Sequence, residues 1–192
     1  AIHETLESFH GEDPEQGAKL EDLLALYERS FAAHQEGYRT EQERLRYYQK
    51  GREMLERYHR HFVEADGRKV AWKVEEYFEI PVGERAILTG FIDRIDRDEN
   101  GKLVVLDYKT EPTDRSQDEL DSDLQLGIYA WACQRMFNEP AELGLFMLAH
   151  DRLATTRRTD AQLADVERQV DEIARQIQED NVFAPKLNRY CP

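Results

Sequence analysis

Two aspartates and a lysine, Asp93, Asp107 and Lys109, lie within one stretch of the 192-residue chain, TGFIDRIDRDENGKLVVLDYKT at positions 89–110. Carboxylates can hold Mg²⁺ or Mn²⁺ against a non-bridging phosphate oxygen. A cation beside the attacking water favours its hydroxide form, so the three residues are the parts of metal-dependent phosphodiester cleavage. Successive side chains of a strand point to opposite faces, so the D-x-K spacing puts Asp107 and Lys109 on one face and Leu106 and Tyr108 on the other. The surrounding residues are mostly Ile, Leu and Val. Burying a charge among them costs several kcal/mol unless it is paired or bound to a metal, and the pattern therefore predicts a ligand.

The stretch reads as two strands joined at Asn100-Gly101, a dipeptide that readily takes the positive φ angles of a hairpin. On the first strand Asp93 is expected on the face of Phe91 and Ile95. A second chemistry competes here. Asp96-Arg97-Asp98-Glu99-Asn100-Gly101 followed by Asp107 approaches the calcium-loop pattern D-x-D-x-N-G-x5-E. It departs from that pattern where Asp107 replaces the long bidentate Glu, and strands stand where helices should flank the loop. A solvated turn is the plain alternative.

The elements that must position these groups follow in order. AIHETLESF, residues 1–9, is helix-like, with Ile2, Leu6 and Phe9 on one stripe and His3 near its start; by itself His3 reads as a surface residue. Gly11 to Gly17 breaks the pattern, and a second helix is predicted from about Ala18 to His34. Thr40-Glu41-Gln42-Glu43 is a capping box opening a third helix through Leu45, Tyr48, Leu55, Tyr58 and Phe62. Its aromatics read as core and its alternating Arg and Glu as a solvated face.

After a turn at Ala65-Asp66-Gly67, a strand carries Val70, Trp72, Val74, Phe78 and Ile80. Glu76 falls on its apolar side and Glu75 on the other, where either could support a metal site from outside or mark a bulge. A helix from about Asp121 to Phe137 sets Gln125 and Tyr129 one turn apart on a single face. Leu143 to Ala149 is another strand. Thr159-Asp160-Ala161-Gln162 caps a long final helix, and the tail NVFAPKLNRYCP is aperiodic. A three-strand meander crossed by a helix to a fourth strand predicts an α/β fold with a mixed sheet.

Composition bounds the function classes. With 40% hydrophobic and 34% charged residues the chain fits one globular domain. No apolar run approaches the roughly 18 residues of a membrane span, and no signal-peptide core is present, so no membrane partner and a cytoplasmic location are expected. Two cysteines, Cys133 and Cys191, make no disulfide framework. The net charge of -14 argues against broad sequence-independent nucleic-acid binding, which rests on Lys and Arg neutralising phosphates. A local cationic track or bound metal could still handle one phosphate. The sequence reads as part of a longer protein.

Taken together, GFIDRID, LVVLDYKT, QLGIYA and the early AIHETLESF resemble the successive motifs of the PD-(D/E)XK nuclease superfamily in its RecB/AddB-type branch. The resemblance covers His3 and then Trp72 to about Ala149. It implies a restriction-endonuclease-like mixed β-sheet flanked by helices, with an N-terminal helical insertion: a single nuclease domain over 1–192, its catalytic core about 1–10 and 68–180, its insertion about 11–65. It implies that His3, Asp93 and Asp107 bind Mg²⁺ or Mn²⁺, and that Lys109 positions or activates the water. Gln125 and Tyr129 would support the site or contact DNA. The partners implied are DNA, as single-stranded ends in repair or recombination, and a helicase domain or subunit. Many members of this branch also staple their ends with a four-cysteine [4Fe-4S] cluster, for which Cys191 in NRYCP would be one ligand; Cys133 reads as a small buried residue. The other reading is a catalytically silent relative serving as a DNA-binding or scaffolding module of a helicase–nuclease complex.

Overall fold

In a computed structural model of the chain, residues 1–11, 19–65, 71–84, 86–180 and 182 are described. Five strands form one mixed sheet in sequential order: β1 (Lys73–Val82), β2 (Ala86–Arg97), β3 (Leu103–Lys109), β4 (Ala141–Met147) and β5 (Arg152–Thr156). The first three are an antiparallel meander, β3 and β4 run parallel, and β5 returns antiparallel at the edge. The helices are α1 (Ile2–Gly11), α2 (Leu20–Ala33), α3 (Glu41–His59), α4 (Gln117–Asp121), α5 (Leu124–Phe137) and α6 (Asp160–Glu179), and a π-helical turn at Arg60–Ala65 prolongs α3.

The sequence predicts four strands, and β5 is the fifth. Its five residues, RLATT, follow Asp151 in a left-handed conformation (φ 53°) and are too few and too polar to alternate visibly. The predicted helix from Asp121 is two: Ser116 forms a capping box over α4, and Asp123 accepts the Leu126 N–H to start α5. Thr159 and Gln162 form the capping box predicted for α6. At α3 the box is half made. Thr40 accepts from the Glu43 N–H, whereas the Glu43 carboxylate reaches back to the Arg39 N–H.

Each face of the sheet buries one core. Ile92, Ile95, Leu103, Val105, Leu143 and Leu145 pack against α5 and α6. On the other face Leu106, Tyr108, Phe146 and Leu148 meet Leu6, Leu23, Leu55 and Tyr58 from α1, α2 and α3. A Cβ on Gly127 would come within 2.7 Å of Val166 Cγ2, so glycine is what lets α6 approach α5 this closely.

The β1–β2 hairpin turns over at one place. Val74 pairs with Arg94 and Glu76 with Ile92, while Glu75 and Asp93 between them form no ladder pair. Glu75 takes a left-handed conformation there (φ 45°), a backbone cost of about 1–3 kcal/mol for a non-glycine residue. Ile92 and Ile95 consequently both enter the α5 core, whereas Arg94 points to the α1–α3 side. The expectation that Asp93 shares a face with both Phe91 and Ile95 is therefore wrong. Ile95 is buried and Phe91 is 54% exposed.

Candidate active site

Parallel pairing of β3 with β4 sends the chain back along the sheet through α5. The first turn of α5 thus lies at the carboxyl end of β3, the usual position of ligand crevices in such sheets. Asp123 fixes that turn. Its Oδ1 caps the Leu126 N–H, and its Oδ2 lies 2.6 Å from Arg115 Nη1. Gln125 is thereby set against Lys109, whose Nζ donates to Gln125 Oε1 at 2.7 Å. Gln125 Nε2 in turn donates to the Tyr129 hydroxyl at 3.0 Å.

Asp107 is 2% exposed. Lys109 Nζ stands 2.7 Å from its Oδ2, but off the direction of a hydrogen bond, so that buried oxygen has a cationic neighbour and no hydrogen bond. Burial pushes the Asp107 carboxyl up to about 6, and Lys109 restrains the rise. The Tyr129 hydroxyl is also raised, first by burial and then by the Asp107 and Asp93 carboxylates, and stays protonated.

Asp93 and His3 approach from the other side. Asp93 Oδ2 accepts the Tyr108 N–H at 2.9 Å, and His3 Nε2 lies 2.9 Å from Tyr108 O and 3.7 Å from Asp93 Oδ2. The structure thus brings His3, Asp93, Asp107, Lys109, Gln125 and Tyr129 to one end of β3. It does not close the three metal candidates into a ready cage: among the described residues no group of three His, Cys, Asp or Glu side chains is placed to hold a metal ion. The donor set nevertheless fits a hard divalent cation, because Asp107 presents a buried oxygen without a hydrogen bond beside a second carboxylate. Glu75 adds a further acid. Its carboxyl is raised by burial, then by Asp93 and Glu7.

Beneath the site lies a polar cluster that the sequence reading missed. Arg94, 1% exposed, donates through Nε to Asp96 Oδ1 at 2.7 Å and through Nη1 to the Tyr58 hydroxyl at 2.9 Å. Nη1 also stands 3.0 Å from His10 Nε2, and His10 bonds the Tyr58 hydroxyl. Tyr58 and Tyr108 join their hydroxyls at 3.1 Å. His3 and His10 are two turns apart on one face of α1, so the cluster grips the helix that carries His3. The signal available was the Arg between the acids of IDRID.

The calcium-loop residues are used otherwise. Asp96 is buried against Arg94, and Asp98 Oδ1 accepts the N–H groups of Asn100 and Lys102. The hairpin turns at Asn100-Gly101 as expected, with the positive φ (76°) at Gly101 and not at Asn100. Cys133 is buried, its thiol pushed up to about 12, and it packs as a small inert side chain. Cys191 lies outside the described residues.

A mixed five-strand sheet flanked by helices, with carboxylates and a lysine at the end of a central strand, is a restriction-endonuclease-like fold. The chain belongs to the PD-(D/E)XK nuclease superfamily, whose family model matches residues 1–192. Nucleases of this superfamily generally use divalent metals such as Mg²⁺. No curated protein matches the chain. Among solved structures, one described as a "Putative exonuclease" from Eubacterium rectale is similar at a TM-score of 0.53 and 11% identity, and the match covers 92% of this chain. This chain spans 65% of the length of that protein. A second, described as SSO0001, is similar at a TM-score of 0.41 and 21% identity, over 86% of this chain and 89% of the other. Among the described residues, no helix is long and apolar enough to cross a membrane.

Proposed function

We propose that this domain is a metal-dependent deoxyribonuclease, exonuclease-like on single-stranded ends, serving DNA repair or recombination. The observation that carries the reading is the Asp107–Lys109 pair: a buried carboxylate oxygen with no hydrogen bond, beside an ammonium that Gln125 holds in place. His3, Asp93 and Asp107 would hold Mg²⁺ or Mn²⁺, with Glu75 supporting them. When bound, the metal supplies Lewis-acid polarisation of the phosphate and a lower pKa for the attacking water.

The rest falls to the protein's own side chains. Lys109 donates to the nucleophilic water and offsets the charge that develops on the phosphate. Gln125 fixes the Lys109 ammonium, and Tyr129, protonated and hydrogen-bonded to Gln125, supports the carboxylate side. Asp93 is aimed by the Tyr108 N–H, so the strand that presents Asp107 also positions the second carboxylate.

We further propose that residues 1–10 and 68–180 form the catalytic core and about 11–65 a helical insertion, within a protein that works beside a helicase. A [4Fe-4S] cluster needs four thiolates, and this sequence has two cysteines, one of them buried Cys133. Cys191 would serve such a cluster only with cysteines from elsewhere.

The test is cleavage of end-labelled single-stranded and duplex DNA with MgCl₂, MnCl₂ or EDTA. Metal-dependent shortening by the wild type, lost in folded Asp107→Ala and Lys109→Ala, supports the assignment. A folded wild type that binds DNA and cuts nothing under any metal gives the silent scaffolding module instead.

A further inference from the structure

Beyond the point where the β1–β2 hairpin turns over, its outward face carries two aromatic residues that, among the described residues, no helix covers. Tyr77 and Phe91 are ladder partners, 47% and 54% exposed, with ring centroids 5.3 Å apart at 54°. They lie two residues along each strand from Glu75 and Asp93, past the Glu76–Ile92 pair, and so begin about 7 Å along the strands from the second carboxylate of the site. The Tyr77 hydroxyl donates to Glu79 Oε2 at 3.0 Å, which ties that ring to the next side chain along the same face. Ile87, 60% exposed, continues the face toward the hairpin tip.

We propose that Tyr77 and Phe91 are a base-stacking platform that receives unpaired bases of single-stranded DNA beside the Asp93 end of the active site. The proposal rests on the reading of this chain as a DNA nuclease and supplies a basis for its strand preference. A protein of net charge -14 has little means of holding DNA by phosphate neutralisation alone. Stacking needs no cations, and it accepts any base because every base has a π-face. It also excludes intact duplex, whose bases are already stacked on one another. The platform begins two residues along the strands from Asp93, so bases seated on it would place a neighbouring phosphate toward the site.

A cross-strand aromatic pair can also exist only to stabilise a hairpin, and the experiment separates the two roles. Replacing both rings by leucine (Tyr77→Leu with Phe91→Leu) keeps apolar, strand-compatible side chains and removes the π-faces. Binding is read by fluorescence anisotropy in EDTA with three probes: labelled oligothymidine, a duplex, and an abasic oligonucleotide of equal length. The expected result is a loss on the order of tenfold per ring for oligothymidine, little change for the abasic probe, and retention of affinity in Phe91→Tyr. An equal loss on the abasic probe, or no loss on oligothymidine, overturns the platform. So does light scattering that shows the wild type as a dimer and the leucine variant as a monomer, since the rings would then face a second copy. Cleavage in MgCl₂ is followed in parallel. A wild type that binds through the rings and cuts nothing refutes the nuclease reading alone; one that cuts while the leucine variant binds equally well refutes the platform alone.

Discussion

The backbone N–H of Tyr108 donates to the Asp93 carboxylate at 2.9 Å, just past the last β2–β3 ladder pair, Arg94 with Leu106. A side chain has taken the place of a strand partner. Asp93 is therefore positioned by the strand that carries Asp107 and Lys109, and the Tyr108 carbonyl does the same for His3. One residue of β3 orients both outlying candidates, through backbone atoms that a side-chain substitution does not remove.

Activity and stability should separate at this site. Asp107→Asn removes a buried charge that lacks a hydrogen bond, so the metal-free protein at pH 8 should be as stable as the wild type or more so, while cleavage falls by at least about a hundredfold. Urea unfolding in EDTA with cleavage assays checks both. A variant that unfolds more readily and still cuts would contradict the assignment.

The pH dependence has a definite sign. Asp107 rises from its ordinary 3.8 to about 6 in the folded protein, so between these values the folded state binds more protons than the unfolded state and stability falls as pH rises. At about 1.4 kcal/mol per pH unit this one group withdraws about 3 kcal/mol from the metal-free protein above pH 6. Excess MgCl₂ should offset that loss. Its stabilisation in thermal melts should be small near pH 5 and grow through pH 6, and a gain independent of pH would place the metal away from Asp107.

The parts of the site legible in the sequence were those set by a single period. Asp107 and Lys109 follow from alternation on one strand, and Gln125 and Tyr129 from one helical turn. That the two pairs meet depends on the parallel β3–β4 crossover, which the order of elements foretold. The turnover at Glu75 and Asp93 was hidden, because it needs a left-handed non-glycine residue inside an apparently regular strand. Arg94 was hidden as well. Asp96 shares its strand two residues on, but His10 and Tyr58 come from α1 and α3, and no spacing joins those to it.

The acidic turn should be expendable for chemistry. Asp98 Oδ1 holds two backbone N–H groups, so Asp98→Ala should lower stability modestly with cleavage unchanged, and Asn100→Ala should lower it less. Calorimetric titration with CaCl₂ serves as the counter-test. Tight Ca²⁺ binding by the wild type, abolished in Asp98→Ala, would restore the calcium-loop reading.

The buried cluster should govern how well α1 holds His3. Arg94 loses several charge-assisted bonds on truncation, and Asp96 keeps its buried charge, so Arg94→Ala should destabilise by about 3–5 kcal/mol. That variant speaks mainly to folding. Tyr108→Phe is the sharper probe, because it deletes only the hydroxyl, which meets Tyr58 and Arg94, and leaves the Tyr108 N–H and carbonyl on Asp93 and His3. It should cost about 1.5–3 kcal/mol and leave Mn²⁺ affinity nearly unchanged. His10→Ala breaks the grip on the helix itself, so it should weaken Mn²⁺ binding, read by calorimetry, beyond what its stability loss explains. If His10→Ala binds Mn²⁺ as the wild type does at a temperature where both are fully folded, the cluster supports the fold alone and does not position His3.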